Sequence, residues 1–586
     1  MIIRSIHKFV SWIQNDRNMK KSLALYHTYL LILAFLIISC KEYPSYITPQ
    51  KEFIAQKAAV VAAHPEATEI GVAILKQGGN AVDAAIAVQF ALAVCLPTAG
   101  NIGGGGFMVY RANDGSVYTL DYREKAPSLA HESMYLDSLG NPIEKLSLEG
   151  HLAAGVPGTV DGMWEAYQKF SKLKNWAALV QPAIDLAERG FTVTEQQAND
   201  FQRLKEDFIR INGGETVFTS GEWKAGDKMK LPELAKTLKS IRDHGRDGFY
   251  TGEVADLIVS EMERGNGLIT KEDLLNYSSV WRKPLKFNYK SMEVVSMPPP
   301  SSGGILLAQL LKMTEMAQLN KYGFHSKDAI HSMVEMERLS YADRADYLGD
   351  PDFYNVPTNQ LLADDYLAER FKLIQHGVVN NSQDIKSGKI NFESEETTHY
   401  CVVDEDGNAV SMTTTLNGGY GSKLVVKGAG FILNNEMDDF SIKPGVPNLY
   451  GLVGSEANKI EPGKRMLSSM TPTIISKDGK LIMVVGTPGG STIITSVFQV
   501  ITALTEFGLT PYQAVQSPRF HHQWLPDLIF VEADGFKSET IDSLKNMGYS
   551  FQERSGIGRV ELIYIDKYGK IIAVADRRGD DHASGY

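Results

Sequence analysis

The run Glu396-Thr397-Thr398-His399-Tyr400-Cys401-Val402-Val403 is followed by Asp404-Glu405-Asp406-Gly407-Asn408 and answered by Ala409-Val410-Ser411-Met412-Thr413-Thr414-Thr415-Leu416-Asn417. Two runs of strand-forming residues around a turn signal predict an antiparallel hairpin. A second hairpin is predicted around Lys477-Asp478-Gly479-Lys480, and an apolar helix over Ser491 to Phe507. Strand pairs followed by helices predict sheets covered by helices.

The same stretch holds the candidate nucleophile. A threonine hydroxyl attacks poorly without a base beside it, and a threonine at a chain N-terminus carries its own α-amine as that base. A cut before Thr397 would create one. Residues 375–396 are polar and end Phe392-Glu393-Ser394-Glu395-Glu396, a composition that favours an exposed segment and suits a chain break. Thr415 is placed to return on the neighbouring strand and donate to the Thr397 hydroxyl. Gly486-Thr487-Pro488-Gly489-Gly490-Ser491 runs into a helix start, where backbone N–H groups favour negative charge. That is what an oxyanion hole requires. Cys401 shares the strand face of Thr397 and reads as a small buried hydrophobe rather than a second nucleophile.

Working outward, Gly79-Asn80 leads into Ala81 to Val94, apolar nearly all round, which predicts a buried helix ending before Pro97. Gly103 to Gly106 lack the Lys-Ser/Thr of a P-loop and the spacing of a dinucleotide motif, so tight backbone packing or a substrate-facing turn is expected. Ala329 to Leu348 shows a 3.6-residue period and is expected to be an amphipathic helix. The net charge of −11 and the absence of a basic stripe argue against a nucleic-acid partner. Three scattered cysteines, Cys40, Cys95 and Cys401, make neither a disulfide framework nor a zinc site. His521-His522, a weak metal candidate, point in different directions on any regular element. No metal and no cofactor is expected.

At the N-terminus, Lys20-Lys21 precede an apolar run centred on Leu30 to Ile38 that ends at Ser39-Cys40. This has the order of a secretory leader, too short for a comfortable membrane span. The ending resembles a bacterial lipobox with Cys40 as the lipidated residue, so an exported protein held to the membrane only by a lipid anchor is expected. Met19 is a better start than Met1. The divisions expected are 1–40 leader, 41–55 polar tether, 56–396 and 397–586.

Thr397-Thr398-His399-Tyr400, Thr415-Leu416-Asn417, Asn434-Asn435-Glu436-Met437-Asp438-Asp439-Phe440-Ser441, Ser468-Ser469-Met470 and Pro488-Gly489-Gly490 together resemble the γ-glutamyltranspeptidase family. Asp121-Tyr122-Arg123-Glu124-Lys125-Ala126-Pro127, Gly78 to Ala85 and Pro518 to Trp524 match it too, in family order from about residue 55 to Tyr586. The resemblance implies an α+β fold, the four-layer αββα sandwich of the N-terminal-nucleophile hydrolases. It also implies self-cleavage between Glu396 and Thr397 into a large subunit (to 396) and a small one (397–586), interleaved as one domain. By the same resemblance Thr397 attacks the γ-carbonyl of glutathione or another γ-glutamyl amide, and Thr415 positions it. Gly489 and Gly490 hold the oxyanion, and Arg123 with Ser468 and Ser469 binds the α-carboxylate. Asp439, helped by Glu436 and Asn417, binds the α-ammonium. The acyl group passes to water or to an amino acid or peptide. Pro444 to Gly451 resembles a lid loop, with Tyr450 closing over Asn417, which favours small γ-glutamyl compounds. Two other functions fit less of the sequence: an acylase for glutaryl or cephalosporin-type amides in the same superfamily, and a non-catalytic surface lipoprotein.

Overall fold

Each strand of the central hairpin is buried on both faces, and its side chains divide between two cores. Tyr400 and Val402, with Val410 and Met412, enter a core shared with helices. Cys401, Val403 and Ala409 enter a second core between two sheets. The alternation of a strand decides this split. The computed structural model describes residues 48–385, 397–443 and 454–586.

Two seven-stranded antiparallel sheets stack on each other. The first runs His582–Gly585, Ala59–Ala62, Thr398–Val403, Ala409–Thr415, Gly105–Arg111, Val117–Asp121, Val280–Arg282. The second runs Glu52–Ala55, Ile571–Val574, Glu561–Ile565, Lys480–Gly486, Thr473–Lys477, Met292–Ser296, Leu285–Tyr289. Ile474, Val484 and Ile563 of the second sheet meet Val61, Val109 and Cys401 of the first. Helices Pro65–Lys76 and Ala81–Cys95 cover the outer face of the first sheet. Helices Gly303–Ala317, Lys327–Tyr347 and Thr492–Thr505 cover that of the second. The order is therefore αββα, as the resemblance implies.

Both predicted hairpins form. Asp404 organises the turn of the first: one carboxylate oxygen accepts from the N–H groups of Asp406 and Asn408, and the other accepts from Asn408 Nδ2 and the Ala81 N–H. The turn is thereby fastened to the first residue of helix Ala81–Cys95, which is buried along its whole length as expected. At the second hairpin Asp478 and Gly479 both take positive φ, the geometry of a two-residue turn. Among the described residues no helix is long and apolar enough to cross a membrane.

Two expectations change. Residues 52–55, assigned to the tether, form the edge strand of the second sheet, paired with Ile571–Val574. Helix Lys327–Tyr347 is not amphipathic in use: every residue from Ala329 to Ala345 is buried, including Glu335, Glu337, Arg338, Asp343 and Arg344. Periodicity sees one apolar face, whereas here packed elements cover the polar face too and its charges pair inside the protein, as Arg338 does with Glu335.

Gly103 to Gly106 pack backbone against backbone. A Cβ at Gly104 would stand 2.1 Å from the Thr415 carbonyl oxygen, and one at Gly106 would stand 2.3 Å from that of Thr413. Gly104→Ala should therefore push the Thr415 end of its strand outward. The expected cost is about 1–3 kcal/mol in denaturant unfolding, with a loss of activity beyond that lost in stability. An unchanged midpoint would contradict this packing.

Candidate active site

The hairpin register places the candidate nucleophile. Thr398 pairs with Thr414, so Thr397 and Thr415 come opposite one another on the inter-sheet side, with their hydroxyl oxygens 3.5 Å apart. Thr415 Oγ1 accepts from the Asn417 N–H at 2.7 Å. Its proton is thus directed away from that bond and is available to Thr397. Asn417 sits at φ 75°, a left-handed position that Asn tolerates. It turns the chain so that Thr415 and Asn417 both face one enclosure. Asn435 fixes the bend: its carbonyl accepts from Asn417 Nδ2 and its side-chain oxygen accepts from the Gly418 N–H.

That enclosure is lined by Thr397, Thr415 and Asn417 at one end and by Arg123, Glu436 and Asp439 at the other. Ser468, Ser469 and Gly490 close its sides with Met470 and Ile493. Thr397 also faces an open cleft on its other side, with Pro488, Gly489 and Arg559. The candidate nucleophile stands where the two meet, 3% exposed.

Glu436 to Asp439 form a single 3-10 turn, in which residues three apart eclipse. Both carboxylates therefore reach the same guanidinium: Arg123 Nη1 donates to Glu436 and Nη2 to Asp439. The guanidinium also donates to the carbonyls of Met466 and Leu467. The sequence led to an Arg123 free to clamp a carboxylate. In the structure it is held by two acidic residues expected to bind the opposite charge. Burial opposes the Arg123 charge, but Glu436, Asp439 and Glu124 outweigh it and raise its pKa. Glu436 in turn is raised, by burial against the pull of Arg123.

The turn before helix Thr492–Thr505 has Gly489 at φ 131° and Gly490 at φ 51°. Residues with side chains rarely adopt such angles. Among the described residues neither glycine spends its N–H on a backbone acceptor outside regular elements. Gly489 and Gly490 line the two spaces that meet at Thr397, and N–H groups at a helix start are the kind of donor an oxyanion needs. Beneath Thr397, His399 bonds Thr413 Oγ1 at 2.8 Å and lies 3.3 Å from Cys401 Sγ. Burial lowers its pKa to about 3, so it is a neutral imidazole. Burial also raises the Cys401 thiol, in keeping with a packing role.

The enclosure thus gathers Thr397, Thr415, Gly490, Arg123, Asn417, Glu436, Asp439, Ser468 and Ser469, while Gly489 lies on the cleft side. Cys40, Glu396 and Tyr450, with the rest of the expected lid, lie outside the described residues. His521 and His522 are spent on separate partners, Thr495 and Gln523 for one and Asp527 for the other. Sequence reading passed over Glu124, which lies 3.8 Å from Arg123 Nη1, although it adjoins Arg123 in the motif. It also passed over Asn435 and Arg344, which carry no spacing signal.

A sequence model described as Gamma-glutamyltranspeptidase matches residues 67–586. The glutathione hydrolase proenzyme of Escherichia coli K12 is 46% identical over 537 residues, 91% of this chain and 92% of that protein. The Pseudomonas aeruginosa protein of the same name is 48% identical over 529 residues, 89% of this chain and 93% of that one. Among solved structures, a cephalosporin acylase from Bacillus halodurans superposes with a TM-score of 0.78 at 26% identity, over 93% of this chain and 98% of that one. A γ-glutamyltranspeptidase chain from Pseudomonas nitroreducens gives 0.52 at 45% identity, over 55% of this chain and 96% of its own length.

Glu124 supplies a test of this electrostatic arrangement. Burial lifts its pKa from 4.5 to about 7, with Arg123 opposing. A carboxyl raised in the folded state contributes stability that is complete below its unfolded pKa and is lost as pH rises through the folded one. The wild-type Tm should fall between pH 5 and pH 8 by more than that of Glu124→Gln. Equal falls in calorimetry would show that Glu124 is ionised throughout.

Proposed function

The chain belongs to the γ-glutamyltranspeptidase family, and on that premise we propose that it is a self-processing γ-glutamyltransferase and glutathione hydrolase with Thr397 as nucleophile. The observation that carries the assignment of Thr397 is its place between an enclosure with charged groups of both signs at its far end and an open cleft.

Maturation in this reading begins with attack of Thr397 Oγ1 on the Glu396 carbonyl, which passes the acyl group from nitrogen to oxygen. The shift releases the Thr397 α-amine, and water then hydrolyses the ester to give the Glu396 carboxylate and a free Thr397 hydroxyl. With a pKa of about 7.7–8.0 that amine is partly neutral near pH 7 and takes the hydroxyl proton. Thr397 Oγ1 next attacks the γ-carbonyl of the substrate. The N–H groups of Gly489 and Gly490 steady the oxyanion, and the leaving amine departs into the cleft carrying the proton. Water, or the amino group of an amino acid or peptide, enters from the cleft and takes the γ-glutamyl group from Thr397. Maturation leaves a large subunit of about residues 41–396 after loss of the leader and a small subunit of residues 397–586.

Substrate binding exchanges ion pairs. The α-ammonium takes Glu436 and Asp439 with Asn417, and Arg123, released from them, meets the α-carboxylate beside Ser468 and Ser469. A site that answers both charges rejects a head group lacking either, because its buried partners are then left unpaired. The two acidic residues favour this reading over a glutaryl acylase, whose substrate has no ammonium. Export by the 1–40 leader, a lipid on Cys40 and a lid carrying Tyr450 belong to the same proposal and rest on the sequence.

Intact mass of the purified protein should give two chains divided between Glu396 and Thr397, with lipid on Cys40 in membrane-derived material. Thr397→Ala should remain one chain and lose γ-glutamyl-p-nitroanilide cleavage by roughly 10⁴-fold or more. A variant that still divides and turns over would sink the assignment, and so would glutaryl-p-nitroanilide cleaved as well as the γ-glutamyl compound.

A further inference from the structure

Behind the serine pair stands a cation that the proposed reaction leaves unused. Arg344, on helix Lys327–Tyr347, is 5% exposed. Among the described residues no carboxylate lies within ion-pair distance of it. Its side-chain hydrogen bonds go to two hydroxyls: Nε donates to Ser302 Oγ at 3.0 Å, and Nη2 donates to Ser469 Oγ at 3.3 Å. Burial lowers its pKa to about 10, which leaves it protonated at neutral pH. A buried charge with only neutral hydrogen-bond partners is costly; Arg338, six residues away and also buried, has Glu335 and Asp527.

The bonds from Arg344 have a direction. Guanidinium donates and never accepts, so Ser469 Oγ must accept. That oxygen has no other described partner, and its own proton is left to point elsewhere. Ser302 Oγ also accepts from Arg344, so its proton goes to the Ser468 carbonyl at 2.7 Å. The Ser302 N–H donates to the same carbonyl at 2.8 Å. One cation thus fixes Ser469 directly and Ser468 through Ser302, and both serines line the enclosure with Thr397.

We propose that Arg344 is a positioning residue for substrate carboxylate: it orients the Ser469 hydroxyl to donate into the enclosure and places positive charge behind the serine pair. The second effect compensates Arg123, which enters the exchange already bound to Glu436 and Asp439. This rests on the reading of Ser468 and Ser469 as the α-carboxylate end of the site. Asp439 already attracts this buried cation while Arg123 repels it, and a substrate carboxylate at the serine pair would add the missing counter-charge.

The test compares two anilides that differ in one group, L-γ-glutamyl-p-nitroanilide and 4-aminobutyryl-p-nitroanilide, which lacks the α-carboxylate. Arg344→Met and Arg344→Lys are measured with Ser469→Ala and the double variant. For Arg344→Met the KM of the γ-glutamyl compound should rise on the order of tenfold to a hundredfold, the worth of a hydrogen bond to a charged group. Its kcat should change far less, and kcat/KM for the decarboxylated compound should stay near wild type. Arg344→Lys should recover part of the loss, and adding Ser469→Ala to Arg344→Met should cost little more. Equal losses on both anilides would overturn the proposal in favour of a structural role, and so would additive losses in the double variant. If Arg344→Met fails to mature, Arg344→Lys and Ser469→Ala against the two anilides carry the same comparison. A wild-type enzyme that does not discriminate between the anilides would instead refute the underlying reading of the serine pair.

Discussion

Everything at this site follows from the pairing of Thr398 with Thr414. In an antiparallel ladder that register fixes which residues face each other and which face of the sheet each occupies. A slip of one residue would turn Thr397 and His399 toward the helices and bring Thr398 and Tyr400 between the sheets. Many elements defend the register. Asp404 locks the turn to helix Ala81–Cys95, Ala59–Ala62 pairs along the other edge of Thr398–Val403, and Gly104 and Gly106 let the next strand approach closely. Thr397, immediately before the strand Thr398–Val403, is only as well placed as that strand.

The far end of the enclosure works by a different economy. Charges buried without partners are costly, and Arg123 is accordingly paired with Glu436 and Asp439. A zwitterionic head group can replace that internal pairing with two external ones and leave no charge bare. A ligand with one charge breaks a pair and restores only half of it. Selectivity then comes from the cost of the incomplete exchange more than from the strength of any contact.

Much of this could be read from the chain itself. The two hairpins and the buried helix from Ala81 carry local signals, namely turn residues at fixed offsets and an unbroken apolar run. The acidic pair Glu436 and Asp439 could be joined from the three-residue spacing once a tight turn was assumed. Arg344 could not be found this way. Its partners Ser302 and Ser469 are distant in sequence, and on its own helix it looks like one more surface charge. The helix was misjudged for the same reason, since periodicity describes one face and is silent about what covers the other. The Arg123 pairing also escaped, because a motif shows which charges are present and not whether they already hold one another.

Sequence separation in the sheets has a last consequence. Ala59–Ala62 supports the strand of Thr397 on one side and takes His582–Gly585 on the other, and Glu52 pairs with Val574. Each sheet therefore joins segments from the beginning and the end of the described residues. Loops of that length must close before these contacts stabilise anything, so folding is slow and late. The topology thus sets an order: the strand beside that of Thr397 gains its second partner only once Ala62 has met His582, far away in the chain.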